Sequence, residues 1–133
     1  AIELVGYDLP QTAVAPGDAV ALTLYWRTDT ALTRRYKVFT HLLGDTYHAE
    51  TGNFLWGQQD NEPGGGQALT TLWPPDTVIV DTYRIPVDAQ TPPGSYTIEI
   101  GMYGLVDGIR LPAMARSLTV SDNAVLLATV GVE

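Results

Sequence analysis

Three polar residues in predicted strands are the best candidates for a site that does chemistry. His41 and Asp81 each occupy one position in a row of alternating residues that is otherwise apolar, and Asp60 lies between them in the sequence. A carboxylate in such a row needs hydrogen-bond partners, and an imidazole can donate to it. We expect His41, Asp60 and Asp81 to form a structural polar cluster. The functional alternative is a metal or acid–base site, and the chain has only one further histidine, His48, in a predicted loop.

A second group of residues has the chemistry to bind a sugar. Two tryptophans flank a run of three glycines, and sugars stack on exposed aromatic faces while amides and carboxylates hold their hydroxyl groups. The candidate ligand-binding residues are Trp56, Trp73, Gln58, Asp60 and Tyr47. The alternative is that both tryptophans fill the core, as most tryptophans do. Exposure of Trp56 and Trp73 separates the two hypotheses.

A third candidate is a calcium site at Asp60-Asn61-Glu62, which offers oxygen ligands beside the glycines. The spacing does not match that of an EF-hand loop. In a chain with a formal net charge of −8, an acidic loop is usually a solvated turn. The calcium question therefore stays open, and no metal ligand or cofactor is assigned.

Patterns for catalysis are missing from the sequence. There is no cysteine for thiol chemistry or a disulfide, and no Gly-x-Ser-x-Gly turn for a nucleophilic serine. Gly64-Gly65-Gly66 is not followed by the Lys-Ser/Thr of a phosphate-binding loop. A glycoside hydrolase needs two carboxylates in a cleft, and the sequence does not single out a pair among its 15 acidic residues. We expect no catalytic residues and a domain that is not an enzyme.

Length and charge set further bounds. A chain of 133 residues fits one domain and buries roughly two-thirds of its unfolded surface. The balance of 15 acidic against 7 basic residues opposes binding to nucleic acid. No apolar run approaches the ~20 residues of a membrane-spanning helix, and the start of the chain lacks signal-peptide features. We expect residues 1–133 to be one domain excised from a longer protein.

Short strands are the elements that must position these residues. Apolar residues recur at period two, in runs rich in Val, Ile, Thr, Tyr and Trp that Pro, Gly and Asp separate, which is typical of strands and turns. The predicted strands cover Ile2–Leu9, Val20–Arg27, Tyr36–Leu43, Phe54–Asp60, Thr77–Val87, Ser95–Leu105, Ser117–Val120 and Ala124–Val130. The rows expected to face the core are Val20, Leu22, Leu24 and Trp26, and Tyr96, Ile98, Ile100 and Met102.

Three connections are predicted from their composition. A polar loop is expected at Asp45–Asn53. The stretch Leu69–Pro75 is expected to be irregular, with Trp73 packed into the fold as a plug. Asp107-Gly108 is expected to supply both positive-φ positions of a two-residue hairpin turn.

These elements predict an all-β fold in which two antiparallel sheets form a sandwich. About eight or nine strands without a convincing helix must cover one another as two layers, and the architecture expected is immunoglobulin-like without the disulfide. A closed barrel or a jelly roll is the alternative, because periodicity identifies strands but not their order.

An ordered series of motifs makes the chain similar to a known kind of domain. The series consists of Tyr36–Leu43, Gln59–Gly66, Thr71–Asp76, Val80–Tyr83, Pro93–Tyr103 and Arg110–Pro112. Over roughly residues 17–120 the chain resembles an uncharacterised immunoglobulin-like sandwich domain of Chloroflexi-type bacterial surface proteins. Such domains often follow the multispanning part of glycosyltransferase-like membrane proteins.

The resemblance implies where the chain works and with what. It implies an extracytoplasmic location, at the cell surface or secreted, and a non-catalytic accessory or interaction role. The implied partners are other domains of the parent protein or cell-envelope components. A carbohydrate-binding module that uses Trp56 and Trp73 is the alternative, with a glycan as the partner.

Overall fold

The computed structural model describes residues 2–112, 119–121 and 123–133 and is built from β-strands. The strands are β1 (Ile2–Asp8), β2 (Ala13–Val14), β3 (Ala19–Thr28), β4 (Tyr36–His48), β5 (Asn53–Asn61), β6 (Ile79–Pro86), β7 (Gly94–Gly104), β8 (Thr119–Ser121) and β9 (Ala124–Val132). Short 3-10 turns lie at Pro63–Gly66 and Thr70–Leu72. Within the described residues, no helix is long and apolar enough to cross a membrane.

The strands form two sheets that pack face to face. One sheet has three strands in the order β1-β3-β6, and the other has the order β2-β9-β7-β4-β5, with β8 paired to β9. The strand pairs are antiparallel apart from β2 with β9, which is parallel. The prediction of an all-β, immunoglobulin-like sandwich of two sheets is confirmed.

The core lies between the two sheets and uses the alternation expected of half-buried strands. Both predicted rows, one on β3 and one on β7, are buried, which confirms them. Each large apolar side chain buried in this way stabilises the fold by about 1.5–3 kcal/mol. The connection between β5 and β6 covers one end of the core. Trp73 in this connection is buried among the core residues, as predicted.

Strand β4 is longer than the sequence indicated. It continues past Leu43 to His48 and forms a hairpin with β5, so the predicted loop Asp45–Asn53 is mostly wrong. The turn is short, with the amide of Gly52 donating to the carbonyl of His48 at 2.9 Å. Two register irregularities, after Leu42 and after Leu43, interrupt the alternation of side chains and therefore hid the strand.

The hairpin after β7 also differs from its prediction. The amide of Gly104 donates to the carbonyl of Ile109 at 3.0 Å, which leaves a loop of four residues. Gly108 takes a positive φ of 69°, whereas Asp107 does not. Asp107 instead accepts a hydrogen bond on its side chain, from the amide of Ile109 at 3.0 Å. Asp107 therefore shapes the turn through its carboxylate, not its backbone.

The two C-terminal strands pair with each other, and β9 lies inside the six-stranded sheet. Strand β9 runs between β7 and the short strand β2, and β8 pairs with its beginning. Ser117, the predicted start of β8, lies outside the described residues.

The two sheets make a direct backbone contact where β5 meets the end of β6. Gly57 forms an isolated antiparallel bridge with Val87, and the amide of Asp88 donates to the carbonyl of Trp56 at 2.9 Å. A Cβ on Gly57 would lie 2.5 Å from the carbonyl oxygen of Pro86. Glycine is therefore required for this contact, which we call the β5–β6 corner.

Candidate functional site

Asp81 lies fully buried between the sheets and accepts hydrogen bonds from three groups. The indole N–H of Trp26 donates to Oδ2 at 3.0 Å, and the hydroxyl of Tyr83 donates to the same oxygen at 2.7 Å. The amide of Gly64 donates to Oδ1 at 2.8 Å. Burial raises the pKa of Asp81, because removal from water penalises the carboxylate, while the three donors act in the opposite direction. Asp81 thus joins β6 to β3 and to the glycine turn.

The glycine run has a structural role beside Asp81. Gly64 and Gly65 have φ values of 66° and 65°, a conformation that favours glycine. This turn directs the amide of Gly64 at the carboxylate. A Cβ on Gly64 would also lie 2.9 Å from the Cβ of Ala68. The run therefore forms part of the packed end of the sandwich and supplies a donor to a protein group.

His41 lies on the outer face of the six-stranded sheet, away from Asp81. Its Nδ1 is 3.0 Å from Glu99 Oε1, and its Nε2 is 3.7 Å from Asp60 Oδ1. The hydroxyl of Tyr103 donates to Asp60 Oδ2 at 3.3 Å. The structure therefore divides the predicted cluster in two, because alternation sends Asp81 inward and His41 outward.

Sequence reasoning missed Glu99, because alternation indicates only which face of β7 it lies on and not its partner. The row of β7 that faces the core leaves Glu99 on the opposite face, and the register pairs it directly with His41. A carboxylate opposite an imidazole is a favourable cross-strand pair.

Phe39 lies beside His41 and is buried although it is on the outer face. The guanidinium carbon of Arg110 is 4.4 Å from the ring centroid. Below the ring lies Gly101, where a Cβ would come within 2.5 Å of Phe39 Cζ. A glycine beneath and a cation above enclose the ring, so this part of the outer face is covered.

The predicted sugar-binding residues do not form one groove. Trp56 and Trp73 are only 6% and 4% exposed, and their indole N–H groups donate to the carbonyls of Thr46 at 2.9 Å and Ala68 at 2.8 Å. Stacking on the two tryptophans, as the sequence suggested, is therefore wrong, because both rings fill the core.

Tyr47 is the aromatic residue of that predicted set that remains available. It is 57% exposed, and its ring contacts Phe54, which is 47% exposed, edge to face at a centroid distance of 5.7 Å. Gln58 is also exposed, whereas Asp60 is partly covered by its contacts with His41 and Tyr103.

The candidate calcium ligands point to different partners. Glu62 binds the guanidinium of Arg35, with Nε at 2.7 Å and Nη2 on the other carboxylate oxygen. That hydrogen bonding lowers the pKa of Glu62. The side-chain Nδ2 of Asn61 donates to the backbone carbonyl of Glu62 at 3.0 Å, and Asp60 lies against Tyr103. The three side chains do not converge on a site for an ion.

His48 is the last residue of β4 and lies buried in a cleft. The prediction that it belongs to a loop is wrong. Its Nδ1 is 2.9 Å from the carbonyl oxygen of Leu55, which can only accept, so Nδ1 carries a proton. The imidazole stacks on Trp56 with a centroid distance of 3.9 Å and an interplanar angle of 6°. Nε2 faces two carboxylates, with Asp88 Oδ2 at 3.5 Å and Glu50 Oε2 at 4.0 Å.

Asp88 is fixed by the turn that follows the β5–β6 corner. Its Oδ1 accepts from the amide of Gln90 at 2.8 Å, and its carbonyl accepts from the hydroxyl of Thr91 at 2.6 Å. Oδ2 is thereby directed at His48. The surrounding cleft has a volume of about 270 Å³ and includes Gln58 and Thr51 in its walls.

The loop after β7 presents apolar side chains at the opposite end of the sandwich. Val106 is 95% exposed, Ile109 is 67% exposed and Leu105 is 37% exposed. We call residues 105–109 the apolar tip.

The apolar tip is held by hydrogen bonds to its surroundings. Arg34 Nη2 donates to Asp107 Oδ2 at 2.6 Å, and the amide of Leu105 donates to the carbonyl of Arg35 at 3.1 Å. The bond from Arg34 lowers the pKa of Asp107. The amide of Gly108 donates back to the carbonyl of Gly104 at 2.9 Å. These contacts fix the backbone that carries the exposed side chains.

Comparisons with known proteins find a distant structural likeness and no relative in sequence. No protein-family model matches the chain. No curated protein gives a significant match. A chain of the CaDoc0917–CaCohA2 complex, solved at pH 5.5, is similar with 6% identity and a TM-score of 0.38, over 99% of this chain and 98% of that one. A chain of a type I cohesin–dockerin complex from Clostridium thermocellum has 14% identity and a TM-score of 0.37, over 100% and 98%. Likenesses this distant do not say what this chain binds.

Proposed function

We propose that this chain is a non-catalytic interaction domain that binds a protein partner through the apolar tip. The observation that carries the proposal is the nearly complete exposure of Val106 beside the exposed Ile109, on a loop whose backbone is fixed. Apolar side chains that are grouped on one exposed element mark a contact surface more than scattered ones do. A loop fixed before binding loses less conformational entropy on association.

Three acids with shifted pKa values have structural partners, which supports a role without catalysis. Asp81 has the environment of a tuned acid, but it is fully buried and inaccessible to a substrate. Its hydrogen bonds join structural elements. Glu62 and Asp107 are each engaged by an arginine. These three carboxylates are thus engaged in contacts that stabilise the fold.

We also propose an extracytoplasmic location and an accessory role beside other domains. The support is the resemblance of the ordered motifs to an envelope-associated sandwich domain. The partners would then be other domains of the parent protein or components of the cell envelope.

A photo-cross-linking experiment in the cells that make the parent protein tests the proposal. A benzoylphenylalanine replaces Val106 in one variant and Thr82, exposed on the outer face of β6, in a matched control. We expect one protein to cross-link at position 106 and not at position 82, and Ile109→Asp to abolish that product. The same products from both positions, or none from position 106, would contradict the proposal.

Glycan binding is a second candidate, favoured by the exposed pair of Tyr47 and Phe54. Such a pair on the β4–β5 hairpin offers aromatic faces to a sugar, with the exposed amide of Gln58 on β5. Calorimetric titration with cell-wall oligosaccharides tests it. We expect binding by the native chain that Tyr47→Ala abolishes and that Thr82→Ala, on the outer face of β6, leaves intact. No heat from any oligosaccharide rejects this candidate.

A further inference from the structure

We infer that His48, Asp88 and Glu50 form a binding site for one divalent transition-metal ion, with Zn²⁺ as the reference ion. The three side chains each offer one ligand atom, and these atoms lie within 4.8 Å of one another. The site lies at the opposite end of β4 from the apolar tip. It is therefore independent of the proposed protein-binding function.

The protonation of His48 makes Nε2 a ligand atom. Because Nδ1 carries the proton that the carbonyl of Leu55 accepts, the neutral imidazole has its lone pair on Nε2. Metal-binding histidines usually donate their other N–H to a carbonyl or carboxylate in this way. The side chain is only 7% exposed, and the hydrogen bonds formed among the described residues do not include one to Nε2. The Nε2 atom of this buried side chain is aimed at the two carboxylates.

The spacing of the ligand atoms fits an ion better than a hydrogen bond. A tetrahedral ion with bonds of about 2.0–2.2 Å holds its ligand atoms about 3.4 Å apart. Nε2 lies 3.5 Å from Asp88 Oδ2, near that separation and beyond the usual length of a hydrogen bond. Glu50 Oε2 is 4.0 Å away on an exposed side chain, which can move the remaining distance.

Two of the three ligands are already held in place. The imidazole is fixed by Leu55 and by stacking on Trp56. The carboxylate of Asp88 is fixed because the amide of Gln90 occupies its Oδ1. A mixed set of one imidazole and two carboxylates suits Zn²⁺ and similar ions, whereas Ca²⁺ requires more oxygen ligands. Three protein ligands leave a fourth position for water.

His41 provides an internal comparison. It also has two carboxylate neighbours, but Glu99 faces its Nδ1 and Asp60 faces its Nε2. One ion cannot bind carboxylates on opposite sides of the same ring. At His48 both carboxylates face one nitrogen, so the metal is expected at His48 and not at His41.

Titration of the metal-stripped chain with Zn²⁺ at pH 7.5 tests the site, by calorimetry and by NMR of the histidine side-chain nitrogens. We expect one ion per chain, a rise in the thermal midpoint, and a shift of His48 Nε2 without a shift of His41. Asp88→Asn keeps an oxygen for Gln90 and should weaken binding at least tenfold. Glu50→Gln should weaken it less, since that ligand is mobile.

Asp45→Asn is the matched control, because it removes one exposed negative charge from the same hairpin outside the site. It should bind Zn²⁺ as the native chain does. Equal affinity of the native and Asp88→Asn chains, a shift at His41 in place of His48, or no binding would overturn the inference. A His48 protonated on both nitrogens in the presence of Zn²⁺ would show that the cluster is only an ion pair, with the same consequence.

Discussion

Asp81 is an acid enclosed between the sheets, and its charge makes stability depend on pH. Burial raises its pKa in the folded chain above the ordinary value of 3.8, so the folded state binds a proton more readily than the unfolded state. The stability from this group is therefore fully present below pH 3.8. This stability is lost as the pH rises through the pKa of Asp81 in the folded chain. Above that pH the three hydrogen-bond donors stabilise the buried carboxylate.

Asp81→Asn tests this account. The amide has only one acceptor oxygen, so either the amide of Gly64 or the pair of Trp26 and Tyr83 is left opposite an N–H group. We expect the free energy of unfolding to fall by about 1–3 kcal/mol. The gap between the native chain and the variant should be widest below pH 3.8 and should narrow as the pH rises, because only the native chain loses stability by ionising this side chain.

Urea unfolding of both chains between pH 3 and pH 8 measures that gap. The lowered pKa values of Glu62 and Asp107 give the opposite slope, but they affect both chains equally and cancel in the difference. A gap that stays constant or widens with pH would show that burial of Asp81 does not control its ionisation.

The partners of Asp81 were harder to predict than its direction. Alternation correctly indicated that Asp81 interrupts an apolar row. It could not identify Trp26 as a donor, because the two residues are 55 positions apart and meet only when β3 pairs with β6. The same holds for Glu99 and His41, 58 positions apart, which face each other only through the register of β4 with β7.

At the scale of elements, the β5–β6 corner connects the sheets and positions the cleft around His48. The bridge from Gly57 to Val87 comes immediately before Asp88, whose amide bonds to Trp56. Any change that separates the strands here moves Asp88 away from the histidine. Packing at this corner and the geometry of the cleft are therefore coupled.

Gly57→Ala should destabilise the fold through this corner. The added Cβ would lie 2.5 Å from the carbonyl oxygen of Pro86, a backbone atom that cannot move alone. We expect a loss of about 1–3 kcal/mol in the free energy of unfolding, as for other overpacked sites. Chemical denaturation measures it, and NMR of His48 should report the altered cleft.

Gly6→Ala is the control for that substitution. Its Cβ would meet no atom within 4 Å, and its φ is not positive. Alanine should leave stability unchanged or raise it by up to about 1 kcal/mol, because glycine is unfavourable within a strand. If both variants lost the same free energy of unfolding, the cause would be the replacement of a glycine in general and not the contact at the β5–β6 corner.

Elements with regular alternation were predictable, and those shaped by local irregularity were not. Strands β3 and β7 matched their predicted rows because each buries one continuous face. The end of β4 was missed where bulges break the period. The turn after β7 was mistaken because Asp107 forms it with its side chain, and composition alone does not distinguish the two uses of an aspartate.

The whole molecule carries more negative charge than its ion pairs compensate. Arg34 and Arg35 bind Asp107 and Glu62 at the end with the apolar tip, and Arg27 pairs with Glu3 at 2.9 Å. A net charge of −8 remains, since each of these pairs is neutral. Exposed ion pairs contribute little to stability, whereas repulsion among unpaired carboxylates acts over the whole surface.

Salt should therefore stabilise this chain at neutral pH. Raising NaCl from 10 to 150 mM shortens the screening length from about 30 Å to about 8 Å and weakens the repulsion more than it weakens the few contacting pairs. A gain on the order of 1 kcal/mol would raise the thermal midpoint by about 4 °C. Near the isoelectric point of about 4.4 the net charge vanishes, so the same salt step should change the midpoint little. Calorimetric scans at pH 7 and pH 4.4 measure the change in thermal midpoint that the added salt causes at each pH. A midpoint that falls with salt at pH 7 would mean that the ion pairs contribute more to stability than the net charge subtracts.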